Sequence, residues 1–230
     1  MKNQALLFLA LITLVIVPAS SQSFYYPSSD SFPSTRSFAF SKAEKEKAKE
    51  LLLKSISGSP FIDDNFVAVK INEYDNVLVG RYDAFNDHFE VKMKNSKTLY
   101  VKKKIGNKVT LLGSKDTYGV FRDHKNDRSN FYKILKEGKV SLLIKEKITF
   151  QGRFSRAYTT YNMPVFKRSK NKLYISFDGK RAEKIPTNKK QFLQLFPKNS
   201  DQLIPFIKKN KLNVRRVNDL EKIIDFYNSL

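Results

Sequence analysis

Four side chains capable of acid–base or metal chemistry lie close together in the stretch GRYDAFNDHFEVKMK, residues 80–94. They are Asp83, Asp87, His88 and Glu90. In a hydrolase, carboxylates and a histidine can exchange protons with a substrate, and the same residue types can bind a metal ion. These four residues are the candidate catalytic group, and a carboxylate-based secreted hydrolase is one hypothesis for the function.

A structural alternative explains the same residues. The apolar residues Phe89, Val91 and Met93 alternate with polar ones, which is the pattern of a strand with one buried and one exposed face. The stretch AFND at 84–87 would then be the turn of a hairpin. On this interpretation the four polar side chains form the exposed face of the hairpin and have no catalytic role.

Other chemistries find no support in the sequence. There is no paired-histidine zinc motif, no G-x-S-x-G nucleophile motif and no glycine-rich phosphate-binding motif. Cysteine is absent, which excludes disulfides, thiolate metal ligands, a cysteine nucleophile and a lipid-modified cysteine. The sequence therefore predicts no metal site and no cofactor, and it favours a non-catalytic protein over an enzyme.

The charge indicates a different kind of site. The chain has 43 Lys and Arg against 22 Asp and Glu, a formal net charge of +21. Such a field attracts polyanions, here an anionic polysaccharide, lipopolysaccharide or an anionic membrane surface. The candidate contacts are the basic residues that cluster beside aromatic or apolar ones: Lys102, Lys103, Lys104, Lys167, Arg168, Lys208, Lys209, Lys211, Arg215 and Arg216.

The basic residues are densest near the C-terminus, where residues 165–230 hold 16 Lys and Arg against 6 Asp and Glu. The alternative is that these side chains form an ordinary solvated surface. Lysine predominates, and its ammonium group is a strongly hydrated point charge, unlike the planar guanidinium of arginine. A basic surface for an anionic partner and a compositional bias both remain open at this level.

The N-terminus predicts export. Lys2 precedes the apolar run ALLFLALITLVIV at 5–17, and Ala19 and Ser21 occupy small-residue positions typical of signal-peptidase cleavage. The run is shorter than the roughly 20 residues of a spanning helix. We therefore expect a cleaved signal peptide at 1–21 and a soluble periplasmic or extracellular protein that is not a lipoprotein. Export argues against a nucleic-acid partner.

The remaining chain divides by its periodicity. Residues 22–40 are rich in Ser, Pro and aromatic residues and predict an extended or disordered leader, which could dock on a protein partner. Capping-box spacing and good helix formers predict an N-terminal helix at 41–57. Residues 58–186 alternate with period two and predict the β-rich body. Residues 187–230 change to helical spacing and predict two to three helices.

Together these elements predict an α+β fold in which an antiparallel β meander forms a curved sheet or partly open barrel with the helices at its side or end. Three functions follow as hypotheses. They are an exported non-catalytic binding or envelope-associated protein, the secreted hydrolase, and a structural protein that docks through its leader.

Several stretches also resemble a group of uncharacterised exported, β-rich proteins of Bacteroidetes-type bacteria. The resemblance rests on segments spread over most of the chain after the signal: GSPFIDDNF at 58–66, GRYDAFNDHFEVK at 80–92, EGKVSLLIK at 137–145, FPKNSDQLIPFIKKNKL at 196–212 and DLEKIIDFYNSL at 219–230. It implies export, a β-rich body and terminal helices. It implies no activity, so it assigns no catalytic residue.

Overall fold

A computed structural model describes residues 56–93, 97–151 and 164–230 of the chain. The predicted signal peptide, the leader and residues 41–55 of the predicted N-terminal helix lie outside this part. Within it, twelve strands are followed by three helices. The β-rich α+β class and the helical C-terminal segment are thereby confirmed.

The strands and helices are numbered in chain order. Their bounds are β1 (Val67–Ile71), β2 (Leu78–Asp83), β3 (His88–Lys92), β4 (Thr98–Tyr100), β5 (Lys108–Leu111), β6 (Thr117–Asp123), β7 (Ser129–Lys136), β8 (Ser141–Lys145), β9 (Ile148–Gln151), β10 (Val165–Arg168), β11 (Lys172–Ser176) and β12 (Arg181–Lys184). The helices are α1 (Lys189–Gln194), α2 (Ser200–Lys209) and α3 (Val217–Ser229).

Ten strands form one sheet in the order β12-β11-β8-β7-β6-β5-β1-β2-β3-β4, and β9 pairs separately with β10. Neighbouring strands in this order are antiparallel, as the meander prediction requires. The predicted turn at 84–87 joins β2 to β3, and the hairpin is confirmed.

Three pairings depart from a simple meander, because they join strands that are not consecutive in the chain. Two of them, β1 with β5 and β8 with β11, are antiparallel. β12 also pairs with β6, in parallel, through Arg181 with Arg122 and Ala182 with Asp123. The β5 register ends at Gly119, the Val120 N–H still donates to the Asn107 carbonyl (2.9 Å), and β12 pairs with β6 further along, at Arg122 and Asp123. Strands β6, β7, β8, β11 and β12 consequently close on themselves as a small barrel.

Alternation along the strands separates three apolar clusters. Phe121, Tyr132 and Leu143 fill the inside of the closed barrel. The opposite face of β6 and β7 joins β1 to β5 in a larger cluster that includes Phe89 and Phe131. A third cluster lies between the outer face of β8 and β11 and the helices.

The helices pack through one apolar face each. Phe192 of α1, Leu203 and Ile207 of α2, and Leu220 and Ile223 of α3 are at most 1% exposed. Polar residues occupy the outer faces, as expected for amphipathic surface helices. The basic residues of the C-terminal segment therefore project from a rigid, well-packed layer.

Candidate functional site

The candidate residue Asp83 is a buried part of the β2–β3 turn. Its Oδ1 atom accepts hydrogen bonds from the backbone N–H groups of Phe85 (3.0 Å) and Asn86 (2.8 Å), and its Oδ2 atom accepts one from the Asn86 side chain (2.8 Å). Asp83 is 5% exposed, so the expectation that it lies on an exposed face is wrong. Its carboxylate shapes the turn, because Asp can accept bonds from the backbone two residues on.

Asp87 ends the same turn in a left-handed conformation (φ 60°) and joins the hairpin to β7 and β8. Its carboxylate accepts hydrogen bonds from the Tyr82 hydroxyl (2.7 Å), the Phe131 N–H (3.3 Å) and the Lys103 ammonium (2.7 Å). Lys145 also donates to it. Two ammonium groups and two neutral donors therefore surround Asp87.

Lys145 is the more buried of the two cations that contact Asp87. Its ammonium also donates to the Phe131 carbonyl (2.8 Å) and lies 5.2 Å from the centre of the Tyr132 ring. Burial lowers the pKa of Lys145, and the negative charge of Asp87 opposes that change. A buried pair of this kind holds elements in register, since either group alone would be an uncompensated charge.

Glu90 lies on the outer face of the hairpin and accepts a hydrogen bond from Arg81 Nε (2.9 Å). The Arg81 guanidinium is 3.4 Å from the Phe61 ring centre and 4.4 Å from that of Phe66. It also donates to the backbone carbonyl of Asp64 (3.0 Å). Glu90 thus fixes a guanidinium that holds the 61–66 segment against the sheet by cation–π contact.

His88 packs its ring 5.2 Å from that of Tyr100 on the neighbouring edge strand. Each of the four candidate residues therefore contacts different partners, and none of the four lines either depression described below. Among the described residues no group of three or more His, Asp or Glu is arranged to hold a metal ion. Neither of the two depressions described below, both lined by residues of the C-terminal helical segment, brings these four side chains together.

A second buried carboxylate escaped the sequence analysis. Glu146, only 5% exposed, accepts a hydrogen bond from the Tyr118 hydroxyl (2.5 Å) and pairs with Arg168. Burial and the Glu146 charge raise the pKa of Tyr118. Arg168 therefore has a carboxylate partner within the fold, although both Arg168 and its neighbour Lys167 are exposed. The feature of the sequence that indicates burial of Glu146 is its position, as a charged residue, within the largely apolar stretch KVSLLIKEKITF.

The basic cluster at 102–104 is also largely engaged. Lys103 pairs with Asp87, and Lys104 pairs with Glu73 at 2.9 Å. The hydrogen bond from Lys104 is the main cause that lowers the pKa of Glu73. Lys102 is exposed. Two of the three positive charges therefore already have intramolecular carboxylate partners.

The C-terminal basic residues behave differently, because several of them surround one open depression of about 560 Å³. We call it the basic depression. It lies between the first residue of α1, the last turn of α2 and the connection from α2 to α3. Its lining residues are Thr187, Asn188, Lys189, Ile207, Lys208, Lys211, Leu212, Asn213, Val214 and Arg215.

The α2–α3 connection is built by specific backbone contacts. Asn210 caps α2, Lys211 takes a left-handed conformation (φ 51°), and its N–H donates to the Lys208 carbonyl (3.2 Å). The Leu212 N–H donates to the Ile207 carbonyl (3.0 Å). These two bonds form a Schellman motif, in which glycine usually occupies the position of Lys211.

The rest of the connection is anchored on both sides. Val214 is 5% exposed and belongs to the cluster beneath the helices. Arg215 Nε donates to the Thr187 carbonyl (3.1 Å), which ties the connection to the start of α1. The Asn213 N–H donates to Asp219 in the first turn of α3 (3.0 Å). The basic side chains thus stand on a fixed backbone.

Four lining residues are basic, and none of the described residues that line the depression is acidic. Lys208 near the C-terminal end of α2 complements the helix dipole, which is a structural reason for its presence. Lys189 has no such reason, because it is the first residue of α1, where the dipole disfavours a cation. Lys211 occupies a backbone conformation that disfavours any side chain.

The structure brings together three residues that the sequence singled out, Lys208, Lys211 and Arg215, and adds Lys189. Lys209 and Arg216 are exposed neighbours that do not line the depression. Lys189 escaped the sequence analysis because it stands in a different segment of the chain. Only the packing of α1 against α2 brings it beside the others.

Comparison with protein-family models, curated proteins and solved structures gives no significant match for this chain. In the part of the chain that the structure describes, no helix has the length and apolar character needed to cross a membrane. The functional argument therefore rests on the residues themselves.

Proposed function

We propose that this chain is an exported, non-catalytic binding protein whose basic C-terminal surface binds an anionic partner. The observation that carries the proposal is the convergence of Lys189, Lys208, Lys211 and Arg215 on the basic depression without a lining carboxylate. The other basic clusters support a binding role less well, because Lys103, Lys104 and Arg168 pair with carboxylates of the fold.

Two of the four basic residues occupy positions where a lysine is unfavourable for local stability. A left-handed lysine at 211 costs on the order of 1 kcal/mol relative to glycine. A lysine at the first position of α1 faces the positive end of the helix dipole. Both positions supply charge to the same depression.

The composition of the site indicates the class of partner. Three of the four cations are lysines, which contact anions as point charges and do not impose the bidentate geometry of arginine. This suits a phosphate- or sulfate-bearing surface, such as an anionic polysaccharide, lipopolysaccharide or an anionic membrane. The predicted export places the chain where such surfaces occur.

The test is binding to a heparin column and, in solution, to heparin over a range of salt concentrations. A four-site variant (Lys189→Gln, Lys208→Gln, Lys211→Gln, Arg215→Gln) should lose at least about tenfold in affinity and should show a weaker dependence on salt, since fewer charge contacts are screened. Binding of the wild-type chain to heparin should weaken steeply as the salt concentration rises.

The matched control removes the same number of charges elsewhere, at the exposed positions Lys70, Lys125, Lys170 and Lys180. This control should keep most of the affinity. Equal losses in the two variants would show that binding depends on net charge alone and would contradict the proposed site. Wild-type binding that is indifferent to salt would contradict the electrostatic mechanism.

A further inference from the structure

A second depression, of about 500 Å³, lies next to the basic depression. We call it the apolar depression. Leu212 lines both of them, so the two depressions adjoin at this residue. The residues that line the apolar depression are Phe206, Asn210, Leu212, Lys222, Asp225, Phe226 and Ser229.

Two stacked aromatic rings form the apolar part of this second space. The rings of Phe206 in α2 and Phe226 in α3 are parallel within 4° with their centres 3.9 Å apart. Both residues are only partly buried, so the pair presents apolar surface to the depression. Leu212 is the third apolar residue that lines this depression, and it also lines the basic depression.

The charges around the apolar depression do not oppose an anion. Its carboxylate, Asp225, accepts a hydrogen bond from the Lys136 ammonium (2.7 Å) and is thereby compensated. Lys222 adds a positive charge to the same rim. The positive character of the basic depression is therefore maintained across Leu212.

We propose that the two depressions form one amphiphilic groove and that its ligand is an anionic amphiphile with a phosphate head group and an alkyl chain. The head group contacts Lys189, Lys208, Lys211 and Arg215. The chain crosses Leu212 and covers the Phe206–Phe226 pair. This inference rests on the proposed function and specifies its ligand class. Charge complementarity selects the head group, and the apolar lining residues Leu212, Phe206 and Phe226 select the tail.

The four cations favour a phosphate over a single carboxylate, since a phosphate monoester carries up to two negative charges and several acceptor oxygens. The alkyl chain adds affinity in proportion to the apolar surface that it buries. Each fully buried methylene contributes up to about fourfold. An octyl ester whose chain covers the Phe206–Phe226 pair should therefore have a much higher affinity than the ethyl ester with the same head group.

The experiment compares ethyl phosphate with octyl phosphate, the latter below its micelle concentration, by NMR titration of the chain that begins at Gln22. We expect octyl phosphate to bind at least about 30-fold more tightly. Intermolecular NOEs should connect its terminal methyl group to the rings of Phe206 or Phe226. Equal affinities for the two esters, or NOEs confined to other residues, would overturn the inference.

Variants separate the two halves of the groove. The four-site charge variant should weaken both esters, whereas Phe206→Ser should weaken octyl phosphate by a larger factor than ethyl phosphate. The wild-type ratio of affinities decides the question even if Phe206→Ser does not fold. Heparin binding that depends on the four cations, without any gain for the octyl ester, overturns only the amphiphile. If the wild-type chain binds neither heparin nor ethyl phosphate through the four cations, the proposed function is overturned as well.

Discussion

Asn228, near the end of α3, binds the backbone of Val140 with both ends of its side-chain amide. Its Oδ1 atom accepts a hydrogen bond from the Val140 N–H (2.8 Å), and its Nδ2 atom donates to the Val140 carbonyl (3.0 Å). Val140 is 1% exposed, so these two backbone groups would otherwise be buried without partners. The contact joins the C-terminal helix to the β7–β8 connection across 88 residues of sequence.

We predict that Asn228→Ala lowers the free energy of unfolding by about 2 kcal/mol, because it leaves a buried N–H and a buried carbonyl unsatisfied. Gly138→Ala should also destabilise, since its added Cβ atom would lie 2.5 Å from Asn228 Nδ2. Urea denaturation measures both effects. The exposed Asn218 in the same helix is the control, and Asn218→Ala should change stability by no more than about 0.5 kcal/mol.

Asp87→Asn tests whether the hairpin carboxylate is structural. The substitution leaves the Lys145 ammonium buried without a counter-charge and should destabilise the protein by about 3–5 kcal/mol. Combining it with Lys145→Met should cost less than the sum of the two single changes, because the pair acts as a unit. An exposed control, Asp75→Asn, should have little effect. Unchanged or higher stability of Asp87→Asn would instead fit a strained catalytic group.

The hairpin shows which part of the fold local sequence determines. Alternation of apolar residues and the turn stretch AFND correctly predicted β2, β3 and the turn between them. The sequence could not show that Asp83 is buried, because that depends on the 60–62 segment, whose Pro60 carbonyl accepts from the Ala84 N–H (2.9 Å). Local periodicity specifies an element, whereas burial of a polar side chain requires its distant partner.

Local sequence does not specify the strand β6 or the start of the helix α3. The sequence TYGVFRD of β6 lacks clean alternation of apolar and polar residues, because the two faces of this strand line different apolar clusters. The spacing of Asn218 and Glu221 is that of a capping box, which predicts Asn218 as an N-cap, but α3 begins at Val217 with Arg216 as its N-cap. The basic depression could be predicted only in part, since Lys189 reaches it through helix packing.

The buried tyrosines predict a loss of stability at alkaline pH. Burial is the main cause that raises the pKa values of Tyr82, Tyr118, Tyr132 and Tyr174. Above about pH 10 the unfolded chain releases protons that the folded state retains, so the free energy of unfolding should fall by up to about 1.4 kcal/mol per pH unit for each tyrosine. Lys145 changes the free energy of unfolding in the opposite direction. Because the pKa of Lys145 is lowered in the folded state, its contribution to stability rises with pH until the unfolded chain also deprotonates, at about pH 10.4.

Denaturant titrations at several pH values measure this profile. We expect stability to be flat or slightly rising up to about pH 10 and then to fall steeply. Tyr174→Phe keeps the ring that lies 5.0 Å from Tyr132 and should reduce the alkaline slope. Tyr100→Phe, at a position that is 60% exposed, should leave the profile unchanged. A profile that does not fall above pH 10 in the wild-type chain would contradict the burial of these hydroxyls.

The position of Lys211 predicts opposite effects on stability and on binding. Glycine adopts a left-handed conformation without steric cost, so Lys211→Gly should raise the free energy of unfolding by about 1 kcal/mol. The same change removes a cation from the basic depression and should weaken heparin binding.

Lys209→Gly is the matched control, because it removes an equal charge from the last helical residue of α2. There glycine should lower stability by about 0.5–1 kcal/mol, and the loss of binding should be smaller because Lys209 does not line the depression. Lower stability of Lys211→Gly would show that its side chain stabilises the helix end. Equal binding losses in the two variants would show that the depression is not the binding site.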